Sequence, residues 1–328
     1  MGNSLPGSAP PFFAHPTAPE EKGIGFVGLT GLIKELPGAA QIIQTPHARP
    51  AVSFSLPRAS FSGRIGPMEV LIQPTKEAAA ALVSKIIARE LRANPHMVLG
   101  LATGSTMECV YRHLVHMHRE EHLDFSLCST FNLDEYVGLM PADPNSYRHY
   151  MNHHLFRQVN IDPRNTHLPN GMAENLDAEC LHYEATIKRF GGIDLQLLGI
   201  GKAGHIGFNE PLSALRSRTR VKALTPTTIK QNAPFFGGEE RMPRRAITMG
   251  VGTIIEARRC VLLATGDSKA QVIAQAVEGP ITSMVSASTL QLHPRCTVVV
   301  DEEAATALKE KDYYRWIFEN EPDWQDYR

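Results

Sequence analysis

One segment, Leu195 to Pro211 (LQLLGIGKAGHIGFNEP), constrains this chain more than any other. The apolar run that ends at Ile200 has the length and residue types of a buried strand, and glycines stop it abruptly. In open α/β sheets, ligands bind just beyond the carboxyl ends of strands. His205 and Glu210 follow that end, which indicates a pair that handles protons near neutral pH. A glycine turn whose histidine binds a backbone carbonyl explains the same residues without a function.

From Met68 onward, short apolar runs alternate with segments of helical periodicity. The predicted strands are 68–72, 97–101, 127–133, 194–200, 260–264 and 297–300. The predicted helices are 75–93, the segment from the turn at 102–106 to about 118, 143–158, 175–190, and two that begin at Ser268 and Glu302. This alternation predicts an α/β fold whose parallel or mostly parallel sheet is covered by helices on both faces.

Residues 1–67 differ from the rest of the chain, because proline, glycine and serine are scattered through them without a period of 2 or 3.6. We therefore expect a poorly ordered N-terminal extension. The remainder, residues 68–328, is predicted to form a single α/β domain.

Composition excludes several classes of partner. The net charge of -1 gives no electrostatic reason to expect nucleic acid or an anionic membrane surface. No apolar stretch approaches the roughly 18 residues of a membrane helix. The five cysteines are far apart and form no CxxC pair, which is typical of free thiols in a reducing cytosol rather than of disulfides or a zinc site. We expect a cytoplasmic protein.

Two further strand ends carry polar residues. In LGLATGST (99–106), Gly104 stands between the hydroxyl residues Thr103, Ser105 and Thr106, so backbone N–H groups and hydroxyls are offered to an anion. A plain strand–helix turn is the alternative. In FNLDEYVGL (131–139), Asp134 and Glu135 are adjacent, so one is expected to face a pocket and the other the scaffold. Asp134 capping the next segment is the alternative there.

Lys269, in TGDSK, adds a cation at a fourth strand end. Together these residues predict one site with a held phosphate, an aspartate base and a histidine–glutamate pair. No metal-ligand set with zinc spacing and no Gly-x-Ser-x-Gly elbow is present in the sequence.

These motifs, together with NSYRHYM (145–151), SRTRVKAL (217–224), ITMGVGT (247–253) and AVEGPIT (276–282), resemble the glucosamine-6-phosphate deaminase family in order and spacing over about 68–310. The resemblance implies a Rossmann-like three-layer α/β fold. It also implies conversion of glucosamine 6-phosphate and water into fructose 6-phosphate and ammonia, without a cofactor or metal.

By the same resemblance, Asp134 moves the proton between carbons 2 and 1, His205 opens the sugar ring and Glu210 orients it. The resemblance also implies that the phosphate is bound by Thr103, Gly104, Ser105, Thr106 and Lys269. A lid over about 224–243, containing Phe235 and Phe236, closes over the sugar.

Two departures stand out. Ala203 replaces a carboxylate or amide that helps to order the histidine in well-known members, so His205 must depend on Glu210 or water. Pro234 aligns with a lid arginine that reaches the phosphate. Without this arginine, substrate binding is expected to be weaker by roughly 1.5–3 kcal/mol, unless Lys202, Lys230 or Arg241 contacts the phosphate instead.

Some members are hexamers activated by N-acetylglucosamine 6-phosphate, and Ser213, Arg220 and Lys222 match residues of that allosteric site. A homo-oligomer and a regulatory site are therefore expectations from the resemblance. Alternatively, Arg220 and Lys222 belong to a solvent-exposed face of a strand and bind no effector.

Three other functions remain open at this stage. A galactosamine-6-phosphate isomerase shares the motifs. A 6-phosphogluconolactonase shares a Gly-His signature, but it has Asp-Glu-Arg where this chain has Asp134-Glu135-Tyr136 and it lacks Phe-Asn-Glu-Pro. A non-catalytic sugar-phosphate sensor is suggested by Ala203 and Pro234.

Overall fold

The computed structural model describes residues 68–328. The predicted poorly ordered extension, residues 1–67, lies outside the described residues.

The core of the fold is a seven-stranded sheet in which every neighbouring pair of strands is parallel. Its strands, in chain order, are β1 (Glu69–Gln73), β2 (Val98–Leu101), β3 (Ser129–Asn132), β5 (Thr166–His167), β6 (Leu195–Leu198), β9 (Cys260–Ala264) and β10 (Cys296–Asp301). Across the sheet they follow the order β1-β10-β9-β6-β2-β3-β5. The α/β fold with a parallel central sheet is thereby confirmed.

These strands could be predicted from the sequence because other elements cover both faces of the sheet. Every residue of β2, β6, β9 and β10 is buried. Strands covered on both faces form continuous apolar runs, and such runs are what the sequence displays here.

The described residues also contain α-helices, most of which surround this sheet. They are α1 (Lys76–Ala93), α2 (Ser105–Glu121), α3 (Tyr147–Met151), α4 (Leu176–Arg189), α5 (Pro226–Asn232), α6 (Val251–Ile255), α7 (Ala270–Val277) and α8 (Lys311–Asn320). Thr75 caps α1 as predicted, because its side chain accepts a hydrogen bond from the Ala78 N–H. Within residues 68–328, none of the helices is both long and apolar enough to cross a membrane.

Two predicted helices differ from the structure. The helix expected over 143–158 begins only at Tyr147, after the cap Ser146, and continues as one π-helical turn over Asn152–Phe156. The helix expected from Glu302 is wrong, because residues 302–307 form turns and α8 begins at Lys311.

The error at Glu302 has a physical cause. The buried residues Ala304, Ala305 and Leu308 have helical spacing. However, the Asp301 carboxylate accepts the N–H groups of Ala304 and Gly266, and these bonds fold the chain into a turn. Apolar spacing alone does not distinguish a packed turn from a helix.

A second, three-stranded antiparallel sheet was not predicted. It consists of β4 (Asp134–Tyr136), β7 (Arg220–Ala223) and β8 (Arg245–Thr248), in the order β4-β8-β7. Asp134 pairs with Thr248 on the central strand. Asp134 therefore begins a strand of this small sheet rather than ending a strand of the large one.

The strand order of the large sheet reverses between β2 and β6. After β2 the chain continues to β3 on one side, and after β6 it continues to β9 on the other. The loops that leave these two strands therefore diverge and open a crevice at the carboxyl edge, which is where ligands bind in folds of this type.

Candidate active site

The crevice between β2 and β6 is bordered by most of the predicted site residues. Residues 103–106 follow β2 and open α2, and residues 201–210 follow β6. Lys269 follows β9, the neighbour of β6 on the other side. The large sheet therefore brings three of the predicted strand ends to one edge.

His205 and Glu210 form a pair in the loop after β6. The His205 Nδ1 atom lies 3.2 Å from Glu210 Oε2, and both side chains are largely buried. The contact is close in distance, although the two groups are not aligned as a hydrogen bond in this conformation. Burial tends to raise the pKa of Glu210, but His205 and nearby hydroxyls lower it below its ordinary value. The carboxylate is thereby kept charged beside the imidazole.

Gly201 provides the space that the His205 ring occupies. A Cβ atom added at Gly201 would lie 2.1 Å from His205 Nε2, far inside contact distance. The Gly201 N–H also donates to the His205 carbonyl at 2.8 Å, which closes the loop. The glycine after β6 is therefore required by the histidine that follows it.

Asp134 reaches the same loop from the small sheet. Its Oδ2 atom lies 3.4 Å from the position of a Cβ added at Gly207, two residues after His205. Asp134 is buried, and burial together with the charge of Glu135 raises its pKa to about 8, against an opposing hydrogen bond with Thr248. The structure thus places a buried carboxyl group of raised pKa beside the histidine loop.

Glu135 points away from this pocket, as the sequence predicted for one of the two acids. Its carboxylate accepts the backbone N–H groups of Tyr136, Tyr147 and Arg148 at 2.9–3.0 Å. It therefore anchors the start of α3 to the small sheet. Burial raises the pKa of Glu135 in spite of these bonds.

The loop after β2 has the geometry of an anion site. Gly104 is the residue before α2, with φ 113, a value that favours glycine, and no side chain caps the helix. Nothing lies within 4 Å of a Cβ placed on Gly104, so the space beside the helix start is open. The N-terminus of this long helix therefore presents free N–H groups and the hydroxyls of Ser105 and Thr106.

Lys269 lies at the base of the crevice. Its Nζ donates to the Ile200 carbonyl at 2.6 Å, at the end of the run that contains β6. Burial, and then the charge of Lys202, lower its pKa below the ordinary value of lysine. The ammonium group thus contacts the start of the loop that carries His205, on the side of β6 opposite to the predicted phosphate ligands after β2.

The predicted lid segment, about 224–243, is ordered against the small sheet. It contains α5 and a 3₁₀ turn over Ala233–Phe236. Phe236 is buried and packs edge-on against Tyr136 at 5.3 Å, whereas Phe235 is 73% exposed. A second apolar cluster joins the segment to the sheet and to the histidine loop, and its buried members are Tyr136, Phe208, Leu224, Ile229, Phe236, Met242 and Ala246.

Two of the residues predicted for a regulatory site lie together. Arg220 Nη2 donates to Ser213 Oγ at 3.1 Å, and Arg220 Nη1 donates to Asn209 Oδ1 at 2.7 Å. Lys222 is on the same face of β7, two residues after Arg220. Asn209 is next to Glu210, so this group borders the candidate active site directly.

Sequence reasoning missed three threonines. Thr248 accepts the Phe208 N–H at 3.1 Å and contacts Asp134. Thr225 and Thr228, at the start of α5, both contact Glu210 Oε1, Thr225 at 3.2 Å. Thr225-Pro226 is a recognisable helix start, but no local pattern shows that its hydroxyls reach a carboxylate fifteen or more positions away.

The structure shows the surroundings of Ala203 and Pro234, the two positions that differ from the family pattern. Ala203 offers His205 no hydrogen bond, and the neighbour of the ring is Glu210, as predicted. Pro234 is an exposed residue of the lid segment. In the part of the chain that the structure describes, no cluster of three or more histidine, cysteine or acidic residues is arranged to hold a metal ion.

Comparison with known proteins shows the family of this chain. The model of the family "Glucosamine-6-phosphate isomerases/6-phosphogluconolactonase" matches residues 73–299. A glucosamine-6-phosphate deaminase of Hahella chejuensis is 49% identical over 250 residues, which cover 76% of this chain and 95% of that protein. One of Rhodopirellula baltica is 51% identical over 249 residues, covering 76% and 99%.

Solved structures place the fold in the same group. A monomeric glucosamine-6-phosphate deaminase, 43% identical, superposes with a TM-score of 0.72 over 73% of this chain and 100% of its own. The 6-phosphogluconolactonase of Trypanosoma brucei shares the fold at 19% identity, with a TM-score of 0.60 over 74% of this chain and 99% of its own. The chain belongs to the glucosamine-6-phosphate isomerase/6-phosphogluconolactonase family.

Proposed function

We propose that this protein is a glucosamine-6-phosphate deaminase, which converts glucosamine 6-phosphate and water into fructose 6-phosphate and ammonia. The observation that carries the proposal is that Asp134 approaches Gly207, in the same loop that carries the His205–Glu210 pair. A carboxyl group of raised pKa therefore lies beside the loop that holds an imidazole and its charged partner. High identity to proteins of that name supports the same assignment.

Substrate binding begins at the phosphate in this proposal. The open N-terminus of α2 supplies N–H groups and hydroxyls from Gly104, Ser105 and Thr106, with Thr103 beside them. Lys269 supplies the positive charge from the opposite side of β6. A dianion at this place would stabilise the charged ammonium group, whose pKa burial otherwise lowers.

His205 then opens the sugar ring. Ring opening requires one proton to leave the hydroxyl on carbon 1 and one to reach the ring oxygen. An imidazole suits both transfers near neutral pH, and Glu210 beside Nδ1 fixes which nitrogen carries the proton.

Asp134 moves the proton that converts the aldose into the ketose form. It takes the proton from carbon 2, which leaves an enolamine, and returns a proton to carbon 1, which gives an imine at carbon 2. A pKa of about 8 makes the Asp134 carboxylate a stronger base than an ordinary aspartate. Water adds to the imine carbon and ammonia leaves, so atoms balance with no other reactant.

A 6-phosphogluconolactonase is the second candidate on this fold, because the family includes both activities. The solved structures described as 6-phosphogluconolactonases that resemble this chain are 16–20% identical, a level at which only the fold is shared. Tyr136, which occupies the position of the lactonase arginine, is buried in the apolar cluster under the lid segment. The Tyr136 ring packs against Phe208 and Phe236, and a long cationic side chain at that position would replace these apolar contacts, which favours the deaminase.

The test is an assay of the purified chain with three substrates: glucosamine 6-phosphate, galactosamine 6-phosphate and 6-phosphogluconolactone. We expect release of ammonia and fructose 6-phosphate from the first at millimolar concentration. Turnover of the galactosamine compound alone would assign the isomerase, and lactone hydrolysis alone would assign the lactonase. Thermal stabilisation by the sugar phosphates without any product would assign a sensor.

The proposed oligomeric state and cellular compartment depend on the same function. The proposed catalytic and phosphate-binding residues all lie on one chain, which is consistent with the relative described as monomeric. Oligomerisation, as the resemblance implies for some members, is measured by light scattering. All five cysteines are free thiols, which is consistent with the proposed cytoplasmic location.

A further inference from the structure

The Glu210 carboxylate divides its two oxygens between two parts of the molecule. Oε2 faces His205 Nδ1 at 3.2 Å, within the same loop. Oε1 is contacted by the hydroxyls of Thr228 and Thr225, the second at 3.2 Å. The residue is 4% exposed, so these contacts replace water around the charge.

The two threonines occupy the first turn of α5, within the predicted lid segment. Thr225 is the N-cap and accepts the Thr228 N–H at 3.3 Å, while its hydroxyl oxygen lies 3.2 Å from both Glu210 Oε1 and Thr228 Oγ1. The Thr228 hydroxyl has no capping task, and it donates directly to Glu210. Capping therefore explains one hydroxyl at most, and the Thr228 contact needs another reason.

A carboxylate that accepts two hydroxyl protons is held in its charged form and in one orientation. Both effects pass to His205, because the other oxygen of the same carboxylate faces its ring.

We propose that Thr225 and Thr228 are positioning residues, through which the start of α5 sets the orientation and charge of Glu210 and hence of His205. The inference rests on the proposed deaminase function. It adds that the lid segment is part of the proton-handling apparatus. Displacement of α5 would remove both donors from Glu210 at once.

The titratable groups around Glu210 in the described chain come from several elements. His205 is in its own loop, Asp134 approaches from β4 through Gly207, and Arg220 on β7 binds the neighbouring Asn209. Thr228→Val leaves all of these charges in place. A change in pH dependence in that variant is therefore attributable to the lost hydroxyl.

The experiment compares Thr228→Val with Thr228→Ser and with Thr227→Val, a matched control on the same turn whose side chain is exposed. For Thr228→Val we expect kcat for ammonia release to fall about 10–100-fold, the effect of losing a hydrogen bond to a charged group, with KM nearly unchanged. The limb of the pH–rate profile that reports Glu210 should move to higher pH. Thr228→Ser should restore both, and Thr227→Val should resemble the wild type.

A second readout separates this inference from the proposed function. The carboxyl carbon resonance of Glu210, assigned by its loss in Glu210→Gln, should titrate at higher pH in Thr228→Val than in the wild type. This result is independent of turnover. An unchanged titration, or equal loss of activity in Thr227→Val, would overturn the inference. A wild type that releases no ammonia would overturn the proposed function alone.

Discussion

The two sheets of this protein contribute to the candidate site in different ways. The seven-stranded sheet supplies the crevice, the anion-binding loop and the His205–Glu210 loop from strands that are buried along their whole length. The three-stranded sheet supplies Asp134, and its outer strand β7 is only partly buried. The first sheet forms the buried frame of the site. The second carries the proposed base and the apolar cluster against which the lid segment packs.

The proposed chemistry therefore depends on a contact between the two sheets, of which the small one is buried at β4 and β8 and partly exposed at β7. The contact is at Gly207, with Asp134 Oδ2 and Thr248 Oγ1 both within 3.4 Å of where its side chain would begin. Catalytic groups need support from rigid elements on both sides of such a contact. Substitutions on either side are therefore expected to differ in which property they change.

The largest expected effect is on the small sheet. Asp134→Asn removes the proposed base but keeps its shape, so kcat for ammonia release should fall by about 10²–10⁴-fold. The protein should still bind the sugar phosphate, because the anion loop belongs to the large sheet. Steady-state kinetics and a binding titration measure the two properties, and activity near that of the wild type would show that another residue is the base.

The second prediction concerns the space that Gly201 leaves for the His205 ring. Gly201→Ala would place a Cβ atom 2.1 Å from His205 Nε2, so the ring must move. We expect kcat to fall about 10–100-fold, since a displacement of about 1 Å costs that much in a positioned site.

Gly199→Ala is the matched control in the same loop. Its Cβ would meet only the flexible end of Met107 at 3.3 Å, and activity should be nearly unchanged. Equal activity of the two variants would mean that the observed ring position is unimportant for turnover.

A third prediction concerns the lid segment. Phe236→Ala removes a buried ring from the apolar cluster and should cost about 3 kcal/mol of local stability. Hydrogen exchange of residues 224–243 should accelerate, with a higher KM. Phe235→Ala, which removes a side chain that is 73% exposed, should change neither property. If both variants behave alike, the cluster does not hold the lid segment in place.

The smallest effect is on stability, and its sign follows from the Asp134 pKa. Burial raises that pKa from 3.8 to about 8, so between these pH values the folded protein binds a proton that the unfolded chain releases. Stability contributed by Asp134 is therefore lost as pH rises from 4 towards 8.

Asp134→Asn removes this dependence, so the variant should melt several degrees above the wild type at pH 7.5 and at nearly the same temperature at pH 4. Scanning calorimetry at the two pH values measures it. A difference that is independent of pH would indicate that Asp134 is already ionised in the folded protein.

The same contrast between the sheets explains what the sequence could predict. β9 and β10 read CVLLA and CTVVVD, and both were located within one or two residues, because strands buried on both faces have continuous apolar sequences. β4, β7 and β8 read DEY, RVKA and RAIT, which are short and polar. Their pairing depends on contacts between distant segments, which no local pattern expresses.

The site was predicted unevenly for a related reason. The residues that follow buried strands, such as His205 and Gly104, are marked by the abrupt end of an apolar run. The alternation of side chains along a strand predicted that one of Asp134 and Glu135 faces the scaffold, and the family resemblance indicated that it is Glu135. Thr225, Thr228 and Thr248 act only through distant partners, and isolated threonines have no signature.

Asp134 and the His205–Glu210 pair are proposed to act on one bound sugar phosphate. A crystal structure of the Asp134→Asn variant with glucosamine 6-phosphate would show whether they do. We expect phosphate oxygens at residues 103–106 and Lys269, carbon 2 within about 3–3.5 Å of the side chain at position 134, and the ring oxygen or the carbon 1 hydroxyl beside His205. A sugar that contacts only one of these two side chains, or a phosphate bound elsewhere, would contradict the proposal.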